Sequence, residues 1–136
     1  MNSKITDFLT QHHLLSLATY HETLQCCSLF YAYDPDTITF IVASDPKTQH
    51  GHALIHSPNV AGTVSVETSI VGKIQGIQFQ GEMIQDERGK ECYFKAFPYA
   101  RIMNPTLWSI RVDTIKMTDN TLGFGKKFYW TRTNES

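Results

Sequence analysis

The alternation of apolar and polar positions divides this chain into short β segments separated by turns. Leu14 to Tyr20 (LLSLATY) predicts a strand and His21-Glu22 a tight turn. Leu24 to Tyr33 (LQCCSLFYAY) predicts a second strand, apolar on both faces and therefore central. Asp34-Pro35-Asp36 is a turn with Pro in its preferred place, and Thr37 to Ala43 is a third strand. Three strands in hairpin order make an antiparallel meander. Further on, Val60 to Thr68 sets Val60, Gly62, Val64 and Val66 on one face, the mark of a half-buried strand. Between Lys73 and Gln85, Ile77, Phe79, Gly81 and Met83 share a face. Ile74 falls out of phase with them, which predicts a bulge near Gly76. Thr106 to Asp119 reads as one long strand whose apolar phase shifts near Asp113.

Helical spacing is shorter-ranged. Ile5, Phe8, Leu9 and, less clearly, His12 predict an amphipathic helix over residues 3–13, capped by Asn2 or Ser3. Cys92 and Ala96 allow a second helix that ends before Pro98. A third is predicted from Pro46 to His56, started by Ser44-Asp45 and stopped by Ser57-Pro58-Asn59. Gly123-Phe124-Gly125 marks a bend, and the tail LGFGKKFYWTR is glycine-punctuated and aromatic. No repeat or linker interrupts the chain, so one compact barrel domain over residues 1–136 is expected.

Composition narrows the partners. With 12 basic and 13 acidic residues among 136, the net charge is −1 and no basic block offers a footprint for a nucleic-acid backbone. No apolar run approaches the ~20 residues that span a bilayer, and the first residues lack the apolar core of a secretory signal. The three cysteines, Cys26, Cys27 and Cys92, are odd in number and two are adjacent, which does not fit a disulfide framework. A soluble protein of the reducing cytoplasm, binding neither nucleic acid nor membrane, is expected.

Candidate chemistry concentrates in Phe40 to His56, FIVASDPKTQHGHALIH. A Lys in the first turn of a helix opposes the helix dipole, so Lys47 makes more sense beside a bound anion, with Ser44 and Thr48 as hydroxyl donors. The plain alternative is an ordinary strand-to-helix turn with a surface lysine. His52 and His56 are four apart and His50 is near, a spacing that can hold zinc. The Glu of the metalloprotease motif and a clear third ligand are missing, so surface or helix-packing histidines are the default. Haem ligation is a further alternative. Cys26 and Cys27, adjacent on a strand, face opposite sides and read as buried small hydrophobes; nothing marks Cys92 as reactive. Glu67 and Glu82 are placed on barrel strands in structural roles. No nucleophile elbow, phosphate loop or zinc knuckle is present.

The order of LLSLATY, LQCCSLFYAYD, a third strand ending in a Ser-x-x-Lys stretch, a short helix, SPNVAGTVSV, a strand carrying Gln80-Gly81-Glu82, Phe97-Pro98 and LWSIRVDTIKMTD resembles the FMN-binding split barrels of the pyridoxamine-phosphate-oxidase type. Within that superfamily the chain is similar to a small, functionally uncharacterised bacterial family with GFGKK-type tails. The resemblance, over roughly residues 14–131, implies a mainly β fold: an antiparallel six-stranded split β-barrel with two to three short helices, homodimeric, with FMN at the subunit interface. It implies that Ser44, Lys47 and Thr48 hold the flavin phosphate. Ser28, Leu29, Phe30, Val42 and Ala43 would flank the isoalloxazine, mostly through backbone groups. Gln78 or Trp108 of the partner subunit would close the pocket. Tyr93 and Arg101 match the substrate-phosphate residues of the oxidases in type, but Phe97 stands where an arginine is expected. Thr118 and Lys127 stand near where the resemblance places the substrate Trp and Arg, and the chain is shorter. Synthesis of pyridoxal phosphate is therefore not expected. An FMN-dependent oxidoreductase acting on a small molecule, with NAD(P)H as a candidate electron donor, leads. A non-enzymatic flavin or haem binder, or a dimeric module with an empty pocket, are the alternatives.

Overall fold

A computed structural model describes residues 1–47 and 56–133. Among these, seven strands form one antiparallel sheet: β1 (Leu14–His21), β2 (Thr23–Asp34), β3 (Thr39–Ala43), β4 (Asn59–Ser65), β5 (Gln75–Gln85), β6 (Leu107–Asp119) and β7 (Lys127–Thr131). They run in the order β3-β2-β1-β4-β5-β6-β7, and an additional β3–β6 pairing closes the first six into a barrel. Closure removes most of the sheet edges that would otherwise expose unpaired backbone. The meander is as expected, with Glu22 supplying the left-handed residue (φ 66°) of the β1–β2 turn.

The interior follows from the two-residue period. Leu15, Leu17, Phe40, Val42, Val64, Ile77, Phe79, Met83, Ile110, Val112 and Ile115 all point inward and are buried. Helix α1 (Ser3–Gln11), capped by the Asn2 side chain, adds Ile5, Phe8 and Leu9 to that core. The Tyr31 hydroxyl donates to the Leu9 carbonyl at 2.8 Å, tying the helix to β2. Gly62 is required by close approach, since a Cβ there would lie 2.3 Å from the Ser16 carbonyl oxygen and 2.5 Å from the Phe79 ring. A second, smaller core lies outside the barrel. Helix α2 (Lys90–Ala96) lays Tyr93 and Phe94 over Ala32, Ile41 and Leu107.

Several expectations need correction. The bulge is not at Gly76: the β5–β6 register shifts between Gln80 and Gly81, opposite Asp113, where the apolar phase of β6 changes. Ile74 is out of phase because it belongs to a 3-10 turn ahead of β5 rather than to the strand. Cys26 is exposed and only Cys27 is half-buried, because β2 has its outer face uncovered. Glu67 lies beyond the end of β4. The aromatic tail is a strand: β7 pairs with residues 114–118 of β6, and Phe128 and Trp130 pack inward. Arg132 then fastens it, donating to the carbonyls of Val112, Thr37 and Ile38 at 2.9 Å each. The helix expected from Pro46 to His56 lies largely outside the described residues, as do Thr48, His50 and His52. Among the described residues, no helix is long and apolar enough to cross a membrane.

Candidate functional site

The short third strand creates the most distinctive feature of the barrel. β3 pairs with residues 31–34 of β2, so the stretch from Thr23 to Phe30 pairs with β1 alone. In an antiparallel ladder, successive residues turn their backbone groups to opposite sides. The Tyr31 N–H donates to the His13 carbonyl at 2.8 Å, which sets the parity of the β1–β2 ladder. Residues of the other parity, Leu24, Cys26, Ser28 and Phe30, therefore direct N–H and C=O groups to the side away from β1. Among the described residues no strand pairs with that edge.

The side chains of the same residues form the outer face of β1 and β2. Ser16 pairs with Ser28 and Ala18 with Cys26, giving a floor of small side chains. Leu14 and Phe30 stand at one end and Tyr20 and Leu24 at the other, exposed by 51%, 60%, 58% and 80%. From position 14 to position 20 a strand rises ~20 Å, so this is a trough long enough for a planar polycyclic ring. No residue lining it is charged. The floor continues across the sheet in two cross-strand rows, Ser28–Ser16–Thr63–Gln78–Lys116–Tyr129 and Cys26–Ala18–Ala61–Gln80–Thr114–Thr131. Lys116 is the one charge in these two rows. An ordinary solvated surface, about a quarter to a third charged, would carry roughly three. The far part of this face is a groove of about 500 Å³ that includes Gln78, Lys116 and Tyr129.

At the Phe30 end the chain leaves β3 through Ser44 to Lys47. Ser44 is 9% exposed, and its N–H donates to the Thr106 carbonyl at 3.0 Å. Its own carbonyl accepts the Trp108 indole N–H at 2.9 Å. Beyond it the Asp45 carboxylate accepts the Lys47 N–H at 2.9 Å, a local turn that commits one carboxylate oxygen to backbone. Lys47 is exposed. A fixed strand end, an Asx turn and an exposed cation form a corner suited to an anionic group.

Of the residues expected at the site, Ser28, Phe30, Ser44 and Lys47 lie on the trough or its corner. Leu29 and Val42 point into the barrel, Val42 being fully buried; the ladder parity turns the Leu29 backbone toward Leu15 of β1, and Val42 lies paired between Tyr31 and Trp108, so neither faces the trough. Ala43 packs against the α2 cluster. Gln78 is exposed on the outer face, between Thr63 and Lys116. Trp108 corrects its expectation: 3% exposed, its side chain braces Ser44 from inside its own chain and is not displayed to a second subunit. Tyr93 and Arg101 are both committed to packing, Tyr93 in the outer core and Arg101 stacked over Phe94 at 4.9 Å. His56 stacks on His21 with ring centroids 4.6 Å apart, and no cluster of three metal-ligating side chains occurs among the described residues. Cys27 and Cys92 have thiols pushed up first by burial, which makes them poor nucleophiles. Sequence reading missed the outer-face rows. Their signal was present in the small residues at alternate positions of both LLSLATY and LQCCSLF.

The comparisons with known proteins agree with this geometry. A UPF0306 protein of Klebsiella pneumoniae is 41% identical over 131 residues, covering 92% of this chain and 89% of that one. This chain belongs to the UPF0306 family. Its relative in Cronobacter sakazakii is 40% identical over 138 residues, covering 97% and 96% of the two chains. No protein-family model matches. The fold is shared more widely. A Listeria innocua protein described as a putative pyridoxamine 5'-phosphate oxidase superposes with a TM-score of 0.67 at 13% identity, covering 85% and 95%. A Mesorhizobium loti protein described as FAD-binding gives 0.70 at 12%, covering 85% and 91%. A haem-binding protein of Mycobacterium smegmatis gives 0.70 at 14%, covering 88% of this chain and 52% of that one. The UPF0306 chain thus shares the split-barrel fold of these structures.

Proposed function

We propose that this protein is an FMN-binding flavoprotein of the cytoplasm. It acts as an oxidoreductase on a small molecule and works as a homodimer that closes two flavin sites. The observation that carries the reading is the uncharged trough on β1 and β2, bordered by a backbone edge that no described strand pairs and leading to the Ser44–Lys47 corner. A flavin matches each part. Its flat ring fits over Ser16, Ala18, Cys26 and Ser28. Its ring N–H and carbonyl groups need the donors and acceptors that a free strand edge provides. Its phosphate, with ~1.5–2 negative charges, calls for Lys47 and backbone N–H groups. Bound there, flavin would supply hydride and electron transfer, and the chain would bind, orient and exclude water. The charge-poor rows across β4 to β7 support the dimer, since a second copy would cover them, and Gln78 lies within that face.

Purified protein tests the proposal. Flavin absorbance that co-migrates with a dimer, or tight uptake of added FMN, is expected. Oxidation of reduced nicotinamide by the loaded protein would then establish an enzyme. A colourless monomer that ignores FMN would refute it. A second reading, a haem binder without turnover, draws on the stacked His21–His56 pair and the haem-binding neighbour. A Soret band on adding haem, with no flavin uptake, would favour that reading.

A further inference from the structure

A second recess lies on the outer face of β3, β6 and the far end of β5, beside the start of α2. Its volume is about 510 Å³, within the usual range for small-ligand sites. Ile41, Ile84 and Gly89 give it apolar walls, and Thr37, Thr39 and Ser109 add polar groups. Three arginines line it, Arg88, Arg111 and Arg132, against two carboxylates, Asp34 and Asp86.

Of the two acids there, only Asp86 is ion-paired among the described residues. Asp86 takes Arg88 in a close pair at 2.9 Å and also accepts the Arg88 N–H. Asp34 accepts the Asp36 N–H at 3.0 Å. That leaves Arg111 and Arg132. Arg111 reaches Asp113 at 2.9 Å through Nη1, and Asp113 does not line the recess. Arg132 spends Nε and Nη2 on three backbone carbonyls, which carry no charge to balance it. Among the described residues Arg132 thus bonds carbonyls and no carboxylate. Burial and the nearby Arg111 both pull the Arg132 guanidinium down from its ordinary value, while Asp113 and Tyr33 only partly offset them. Nη1 of Arg132 and Nε and Nη2 of Arg111 make no bond among the described residues.

We propose that this recess binds a compact organic monocarboxylate, its anionic end between Arg111 and Arg132 and its apolar body against Ile41 and Ile84. A planar guanidinium pairs with a carboxylate through two parallel hydrogen bonds, and the unspent Nε and Nη2 of Arg111 form such a fork. The apolar wall selects against a bare inorganic anion. None of the recess residues lines the β1–β2 trough, so the site stands whether or not flavin binds there.

Sodium benzoate is a suitable probe. In nitrogen-15-labelled protein, the Arg111 and Arg132 Nε–H resonances should shift saturably with benzoate, but not with sodium chloride at matched ionic strength. Arg111→Gln and Ile84→Asp alter exposed positions and should leave the fold intact by circular dichroism. Each should weaken benzoate binding at least tenfold. Shifts that drift linearly alongside chloride would overturn the site, as would saturable shifts undiminished in both variants. Saturation by inorganic phosphate but not by benzoate would overturn the carboxylate assignment.

Discussion

Trp108→Phe isolates the brace that fixes the end of β3. The indole N–H donates to the Ser44 carbonyl at 2.9 Å, and the indole itself is 3% exposed. Phenylalanine keeps an aromatic ring in the core but cannot donate. The Ser44 carbonyl, on a residue that is 9% exposed, then loses the indole donor where water enters poorly. Such a loss costs ~1–3 kcal/mol. The smaller ring leaves a partial cavity, and since removing a whole buried aromatic costs ~3–5 kcal/mol, about 1 kcal/mol is a fair share for the difference. The total, ~2–4 kcal/mol, is a large part of the ~5–15 kcal/mol that holds a domain together. With a urea slope of ~2 kcal/mol per molar, the unfolding midpoint should fall by ~1–2 M. Urea titration followed by circular dichroism reads this directly. A midpoint within 0.2 M of the parent (about 0.4 kcal/mol at that slope) would refute the brace. Because Ser44 begins the corner proposed for the flavin phosphate, FMN affinity should also fall in the folded variant, whereas the Ser44 N–H bond to Thr106 keeps the strand end from detaching.

Lys47→Ala should weaken FMN by ~1.5–3 kcal/mol, the worth of a charged hydrogen bond, and leave riboflavin, which lacks the phosphate, almost unaffected. Equal losses for both ligands, measured by fluorescence quenching, would place the phosphate elsewhere. Gly62→Ala should destabilise by ~1–3 kcal/mol through overpacking, since the new methyl meets a β1 carbonyl and Phe79, whereas Gly72→Ala, with nothing within 4 Å, should be near neutral. Thermal melts of the pair decide it. Burial is the largest single influence on Asp119 and raises its pKa, yet hydrogen bonds from Thr121 and Gln75 together outweigh it and hold the carboxyl below its ordinary value. A depressed folded pKa gives stability that is present above the unfolded value of ~3.9 and is lost as pH falls through the folded one. The stability gap between parent and Asp119→Asn should therefore narrow between roughly pH 5 and pH 2. A gap independent of pH would remove Asp119 from the acid response.

The strands were legible because alternation reports a physical fact: every second side chain enters the barrel. Leu15 and Leu17, Val60 and Val64, and Ile77, Phe79 and Met83 are buried as their spacing requires. The phase shift near Asp113 marked the bulge on the correct residue of β6. On β5 the irregularity was assigned to Gly76 because Ile74, which lies in a turn, was counted as strand. Strand β7 carried its own alternation, Phe128 and Trp130 inward against Lys127, Tyr129 and Thr131, but glycines and paired lysines ahead of it read as a tail. Long-range contacts were beyond reach. Nothing local tells Trp108 that its partner is 64 residues away, or Arg132 that its partners are 94 and 95 residues away. The central position of β2 was readable from its composition. That its edge from Leu24 to Phe30 is paired by no described strand depends on β3 being only five residues long, a property of a different strand.

That shortness is also the link between fold and proposed chemistry. Had β3 run the full length of β2, it would have paired the backbone from Leu24 to Phe30 and left no edge for a ligand. Ending at Ala43, it leaves those donors and acceptors unpaired by any described strand and delivers Ser44 and Lys47 to the Phe30 end of the trough. A catalyst relying on its own acids, bases or nucleophiles would need perturbed titratable groups there. The trough offers hydroxyls, methyls, one exposed thiol and backbone instead, a surface equipped to hold a reactive group rather than to be one. The proposed cofactor would account for a chain without catalytic motifs. A cofactor that brings its own chemistry asks of the protein a shape, a free strand edge and a well-placed cation, and none of these requires a fixed string of residues.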